Sequence, residues 1–271
     1  LAPEQFFEPE DLRQIAVRVA GEAAGLLRDE ACTNISRLSR VIRGETTQID
    51  LEVEDYIIDL LRRELGQVRI VTEEQGVVGE GPITAVVDPL DGSKNYLNCI
   101  PWASVSIALL ESGGTLRDVK AGAVAPIFYG DVISFGRGRG CFLGAARLEK
   151  PSNPSRFIYV YIEHPEAAHR LAEVIGELGR GYKIRSLGSA ALEIAYTGIG
   201  RGTLFLDLRS KLRNVDIAAA MGITLECGGD VLDADGKPLN IGTGQVEKAG
   251  TVIAVPNASL ASRVAKILAG N

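Results

Sequence analysis

Residues 83–87 form a short, largely apolar run that leads without a break into Asp88-Pro89-Leu90-Asp91-Gly92-Ser93-Lys94-Asn95-Tyr96. A run of this length followed by turn residues reads as a buried strand with chemistry at its end. Pro89 has no amide hydrogen and a fixed backbone, so the strand is expected to stop there. Gly92 then permits a tight turn into a helix starting near Ser93. Asp88 and Asp91 would face one point, beside the free amides of a helix start. Hard anionic oxygens next to an anion-binding backbone suit a divalent cation holding a phosphate. The same residues would also serve a capped strand-turn-helix in which Asp91 is only an N-cap.

The rest of the chain supplies layers around that strand. Leu12, Ile15, Ala16, Val19, Ala20, Ala23 and Leu27 recur at helical spacing and predict a helix over 8–28. A polar stretch over 29–48 reads as a lid, and a second helix over 49–65 stops before Gly66. Asp50 and Glu54 sit in the first turns of that helix, where acids favour the dipole. A strand over 68–71 is followed by Thr72-Glu73-Glu74-Gln75-Gly76, fifteen residues before Asp88, a distance that allows the two strand ends to meet. Strands over 104–110, 119–126 and 132–135 are expected to be sequential and antiparallel.

Residues 150–156, with Pro151 and Pro154, form the best linker. Beyond it, strands over 157–162, 183–187, 203–208 and 252–255 alternate with helices over 166–178, 190–197, 215–227 and 260–268. The pattern predicts an α/β (α+β) protein of two closely packed subdomains. The first, 1–149, would be α+β and carry most of the carboxylates; the second, 150–271, would be α/β and carry Asp216.

A net charge of −6 argues against a nucleic-acid partner. No apolar run approaches the roughly 20 residues that cross a bilayer, so no membrane partner is expected. The four cysteines show neither CxxC spacing nor scaffold density, which makes a reducing, cytoplasmic setting the default. A Cys141–Cys227 pair is reserved for an oxidising or hyperthermophilic setting. His164 and His169 lack zinc-site spacing and are placed at a solvated helix start.

The ordered set Thr47, Asp50 and Glu54, then Glu73-Glu74, Asp88-Pro89-Leu90-Asp91-Gly92-Ser93, Leu187-Gly188-Ser189-Ala190-Ala191 and Asp216 before Ala218-Ala219 resembles the inositol monophosphatase family over nearly the whole chain. Thr72-Glu73-Glu74-Gln75-Gly76 and Phe205-Leu206-Asp207-Leu208-Arg209 are similar to its archaeal branch, whose members look like combined inositol monophosphatase and fructose-1,6-bisphosphatase enzymes. Ser93 stands where most members have Thr and keeps the hydroxyl. The resemblance implies an α-β-α-β-α sandwich of the sugar phosphatase type, a homodimer, and a phosphomonoesterase dependent on two or three Mg2+ ions, with Mn2+ able to substitute.

In family terms Glu73, Asp88 and the Leu90 carbonyl would hold one ion, and Asp88, Asp91 and Asp216 another. Ser93, hydrogen-bonded to Asp50, would orient the attacking water, with Glu74 assisting. The Gly92 and Ser93 amides would hold the phosphate. Asp207, Gly188 and Ser189 would meet the rest of a small phosphate ester such as inositol 1-phosphate or fructose 1,6-bisphosphate. Lys183, Arg185, Arg209, Lys211, Arg213 and Tyr161 are further candidates for the substrate, the cations being solvated surface charges on the plainer reading. Alternatives are a 3′-phosphatase for adenosine 3′,5′-bisphosphate and a non-catalytic, metal-responsive binding protein.

Overall fold

The computed structural model describes residues 7–33, 39–44 and 46–268. Helices α1 (Pro9–Glu30) and α2 (Gln48–Leu65) bury the apolar stripes read from the sequence. α2 ends at Gly66, whose φ of 71° is the left-handed geometry that favours glycine. Between them, part of the expected lid (34–38 and residue 45) lies outside the described residues. The described remainder forms a small hairpin of β1 (Val41–Arg43) and β2 (Thr46–Thr47).

Both helices cover one face of an eight-stranded sheet. Its strands are β3 (Val68–Thr72), β4 (Gly76–Val78), β5 (Ile83–Asp91), β6 (Ser104–Glu111), β7 (Ala121–Pro126), β8 (Ile133–Gly136), β9 (Gly140–Leu143) and β10 (Ala146–Arg147), in the order β10-β9-β8-β7-β6-β5-β3-β4. Only the β3–β5 pair is parallel. One expectation fails here, because β5 does not stop at Pro89. Asp88 faces Ser106 and Asp91 faces Ser104, so three steps along β5 match two along β6. Pro89 falls inside this bulge, where the ladder asks no amide of it. The one-turn helix α3 (Ser93–Leu97) follows, entered through Gly92 at φ 90°.

The second sheet takes β11 (Phe157–Tyr161), β12 (Lys183–Arg185), β13 (Leu204–Asp207), β14 (Asp230–Leu232) and β15 (Val252–Val255) in the order β12-β11-β13-β15-β14. β11 runs parallel to both neighbours, and the remaining pairs are antiparallel. Helices α4 (Pro165–Leu178) and α7 (Ala258–Leu268) cover its outer face. Between the sheets lie α5 (Ala190–Gly198) and α6 (Asn214–Glu226), completing the expected α-β-α-β-α layering. α6 is apolar on all sides, with residues 214–224 buried throughout, as a helix pressed by two sheets must be. Gly222 lets it come close: a Cβ there would lie 2.1 Å from Phe135 Cζ.

The reading of the cysteines is also corrected. Cys32 pairs with Cys99 and Cys141 with Cys227, with Cα atoms 5.6 and 5.9 Å apart. Partners 67 and 86 residues apart leave no spacing signal, because the fold alone brings them together. The cytoplasmic expectation therefore loses its cysteine argument. Among the described residues, no helix is long and apolar enough to cross a membrane.

Candidate active site

Three chain segments meet at one point. Parallel pairing sets Thr72 of β3 opposite Val87 of β5, so the next residues, Glu73 and Asp88, emerge side by side. Asp216, in the first turn of α6, reaches them from the other half of the molecule. Among the described residues, Glu73, Asp88 and Asp216 form a group in which one carboxylate oxygen from each lies within 4.8 Å of the others.

Burial raises the proton affinity of each member. Burial pushes Glu73 up to about 7, opposed by Arg213 and reinforced by Asp216. Burial, then Glu73, Asp91 and Asp216, raise Asp88 well above the carboxylate range. Asp216 is also raised by burial, against the pull of Arg213. Like charges held together out of water are costly unless a cation joins them. An all-oxygen donor set this tight fits Mg2+ or a similar hard ion.

The turn that carries Glu73 is held from below. Glu54, fully buried on α2, accepts hydrogen bonds at Oε1 from Thr72 Oγ1 (2.6 Å) and from the amides of Glu74 (3.0 Å) and Gln75 (3.4 Å). The sequence suggested only a helix-dipole role for Glu54. Its position on the face that meets β3 is a tertiary fact.

Asp91 is turned toward α5. Its Oδ2 accepts Ser189 Oγ (2.5 Å), the Ala191 amide (2.8 Å) and Ser104 Oγ (3.3 Å), and its Oδ1 accepts the Ala190 amide (3.1 Å). It thus caps α5 from a distant strand. Burial lifts it to about 6, tempered by the Ser189 bond. With one bond accepted, Oδ1 keeps a lone pair for an ion. Leu90 donates its amide to Asp88 Oδ1 at 3.1 Å.

A cavity of about 310 Å3 opens over this wall, lined also by Leu90, Asp91, Gly92, Ser93, Lys94, Tyr161, Ser186, Gly188, Arg209 and Arg213. Gly92 packs tightly there, since a Cβ would lie 3.0 Å from the Gly188 carbonyl and 3.1 Å from that of Trp102. Asn95 of α3 ties the halves together by donating to the carbonyls of Trp102 (2.7 Å) and Leu187 (2.6 Å).

Several expected positions fall elsewhere. Asp50 accepts the Thr47 amide (2.7 Å) and hydroxyl (2.6 Å) as the capping box of α2, and no bond from Ser93 is seen among the described residues. Glu74 bonds Thr46 Oγ1 on β2 rather than lining the cavity. Ser189 is buried behind Asp91.

Asp207, expected to meet substrate hydroxyls, is fully buried. Its Oδ1 accepts the Arg209 amide (3.0 Å) and Nε (2.8 Å), so it orients Arg209 instead. The Arg209 guanidinium lies 4.2 Å from the centre of the Tyr161 ring. Lys183 and Arg185 are exposed on edge strand β12, and Lys211 pairs with Glu163 at the surface. None of these three lines the cavity; every residue of the edge strand β12 is exposed, and Lys211 is at the surface.

Two residues were missed. Lys94 lines the cavity, and Glu193, buried at the start of α5, accepts the Leu187 amide at 2.7 Å, holding the loop that carries Gly188. Burial pushes Glu193 up to about 8. An acid in so apolar a helix was the available signal.

The model of the inositol monophosphatase family matches residues 8–270. The chain is 50% identical to the inositol-1-monophosphatase of Aeropyrum pernix, covering 97% of this chain and 98% of that one. It is 34% identical to the fructose-1,6-bisphosphatase/inositol-1-monophosphatase of Methanothermobacter thermautotrophicus, covering 82% and 83%. A Pyrococcus horikoshii structure described as similar to inositol-1 monophosphatase superimposes with a TM-score of 0.78 at 27% identity, covering 96% of this chain and 98% of that one.

Proposed function

The chain belongs to the inositol monophosphatase family, and from that premise we propose that it is a Mg2+-dependent phosphomonoesterase acting on inositol 1-phosphate, fructose 1,6-bisphosphate or both. The observation that carries the reading is the convergence of Glu73, Asp88 and Asp216 beside Gly92 and Ser93 on one cavity wall.

Glu73, Asp88 and Asp216 would hold the metal, joined by Asp91 through Oδ1 and by the Leu90 carbonyl. When bound, Mg2+ supplies Lewis acidity that activates water and stabilises a leaving alkoxide. The Gly92 and Ser93 amides bind phosphate oxygens at the α3 turn, and the Ser93 hydroxyl orients the attacking water. Arg209, braced by Asp207 and seated on Tyr161, presents a fixed cation to the substrate. That same stacking covers Tyr161, the aromatic ring in the cavity lining, and so disfavours an adenine base there. On family resemblance alone the reading includes a homodimer, which sedimentation equilibrium tests.

The deciding experiment measures phosphate release with Mg2+ from inositol 1-phosphate, fructose 1,6-bisphosphate and adenosine 3′,5′-bisphosphate. Turnover of either of the first two, lost in Asp88→Asn, is expected. Fastest release from the nucleotide would overturn the substrate class, and inactivity on all three would leave a binding protein.

A further inference from the structure

Arg213 precedes α6 as its N-cap, and one nitrogen of its guanidinium, Nη2, donates both to Glu73 Oε1 (2.5 Å) and to Asp216 Oδ1 (3.1 Å). It therefore bridges two of the three carboxylates that converge, and it also lines the cavity. Its backbone cannot follow a movement of the side chain. The Arg213 amide donates to Asp216 Oδ2 (2.8 Å), Ala249 donates to the Leu212 carbonyl (2.7 Å), and Asn214 donates to that of Glu247 (2.8 Å). The side chain, 31% exposed, can move into the cavity while this frame stays fixed.

Resting on the metal-site reading above, we propose that the Arg213 guanidinium is the internal counter-ion of the carboxylate cluster and that it lowers and sets the cluster's affinity for divalent cations. Without metal it places a positive charge in direct hydrogen-bond contact with Glu73 and Asp216, in a cavity that Arg209 and Lys94 also line. A guanidinium does not give up its proton in a protein, so the charge stays. A divalent ion drawing on Glu73 and Asp216 competes with Arg213 for carboxylate charge, and it must approach a positive charge to do so. Metal entry releases the guanidinium toward the cavity, where the same planar fork suits a phosphate. A purely structural ion pair would stabilise the fold equally with and without metal. A counter-ion matters only while metal is absent.

The test compares wild type with Arg213→Gln by Mn2+ titration calorimetry, and by thermal unfolding with and without Mg2+. The glutamine variant is expected to bind Mn2+ about tenfold more tightly, equal to about 1.4 kcal/mol. Its metal-free Tm should fall below that of wild type, and the gap should close at saturating Mg2+. Unchanged or weaker Mn2+ affinity, or a Tm deficit that persists undiminished with Mg2+, overturns the proposal. Phenylglyoxal labelling of Arg213 in the wild type, read by mass spectrometry, decides independently of how the variant folds. Labelling should rise on Mg2+ saturation, and labelling indifferent to Mg2+ overturns the proposal. Wild-type protein that binds neither cation would remove the metal site itself, and the proposal with it.

Discussion

Replacing Gly222 with Ala adds one methyl group at the tightest contact between the middle layer and the eight-stranded sheet. That Cβ would lie 2.1 Å from Phe135 Cζ, 2.4 Å from Cε1 and 3.1 Å from Cε2. Gly122 of β7 also lies against the ring, since a Cβ built there would be 3.0 Å from the same Cε1 and 3.3 Å from the Ala219 Cα. Phe135 thus packs its ring edge against two glycines, one on α6 and one on β7. Carbon atoms prefer to sit about 3.5–4.0 Å apart, so α6 must lift by more than an ångström or the ring must leave its rotamer. Overpacking of this kind costs about 1–3 kcal/mol, and the geometry places Gly222→Ala toward the upper end. At about 2–4 °C per kcal/mol for a domain approaching this size, Tm should fall by roughly 5–10 °C. Thermal unfolding followed by circular dichroism reads this directly. Combining the change with Phe135→Leu, which vacates the ring edge, should recover part of the loss in a double-mutant cycle. A single variant as stable as wild type, or a double variant that sums the two single losses, would refute the close approach.

Two other outcomes follow from the site and a third from the disulfides. In metal-free protein, Glu73 and Asp91 rise from ordinary values of 4.5 and 3.8 to about 7 and about 6, so the native state holds more protons than the unfolded chain across that window. Stability should therefore fall as pH rises from about 4 to about 7, while Mn2+ affinity rises over the same range, both measurable by calorimetry. Ser189→Ala removes a 2.5 Å bond to Asp91 and should weaken metal binding about 10–100-fold while costing only about 1 kcal/mol of stability, read by titration and melting. Dithiothreitol should lower Tm by opening the Cys32–Cys99 and Cys141–Cys227 loops, each worth about 2–5 kcal/mol, with Cys141→Ser/Cys227→Ser reproducing its share.

What was legible in the sequence was whatever depends on local period. The stripes of α1 and α2, and the alternation of strands and helices beyond residue 156, state which face is buried, and the layers follow. Glu73, Asp88 and Asp216 were legible because Glu73 follows the run of β3, Asp88 opens the Asp-Pro-Leu-Asp-Gly turn signal and Asp216 stands in the first turn of α6. What escaped was tertiary. β4 and β14 have three residues each, too few to show alternation. Pro89 ends a regular strand but not a bulged one, and the bulge shows only in the pairing of β5 with β6. Asp207 carries the right chemistry for a sugar hydroxyl, yet Arg209, two residues on, reaches it first. Lys183 and Arg185 have the right charge but stand exposed on an edge strand, outside the cavity lining.

Asp91 has a consequence for how such a chain can change over generations. Residues devoted only to chemistry are commonly strained or unpaired, and replacing them makes a protein sturdier at the expense of its activity. Asp91 stands in the cavity wall and, through the Ala190 and Ala191 amides, also starts α5. An asparagine there would turn a donor toward donors, so the same substitution weakens helix and site together. Drift therefore has no compensated route through this position: a descendant that abandoned catalysis would gain nothing by losing the aspartate, and its presence in a silent relative would speak for architecture as much as for activity.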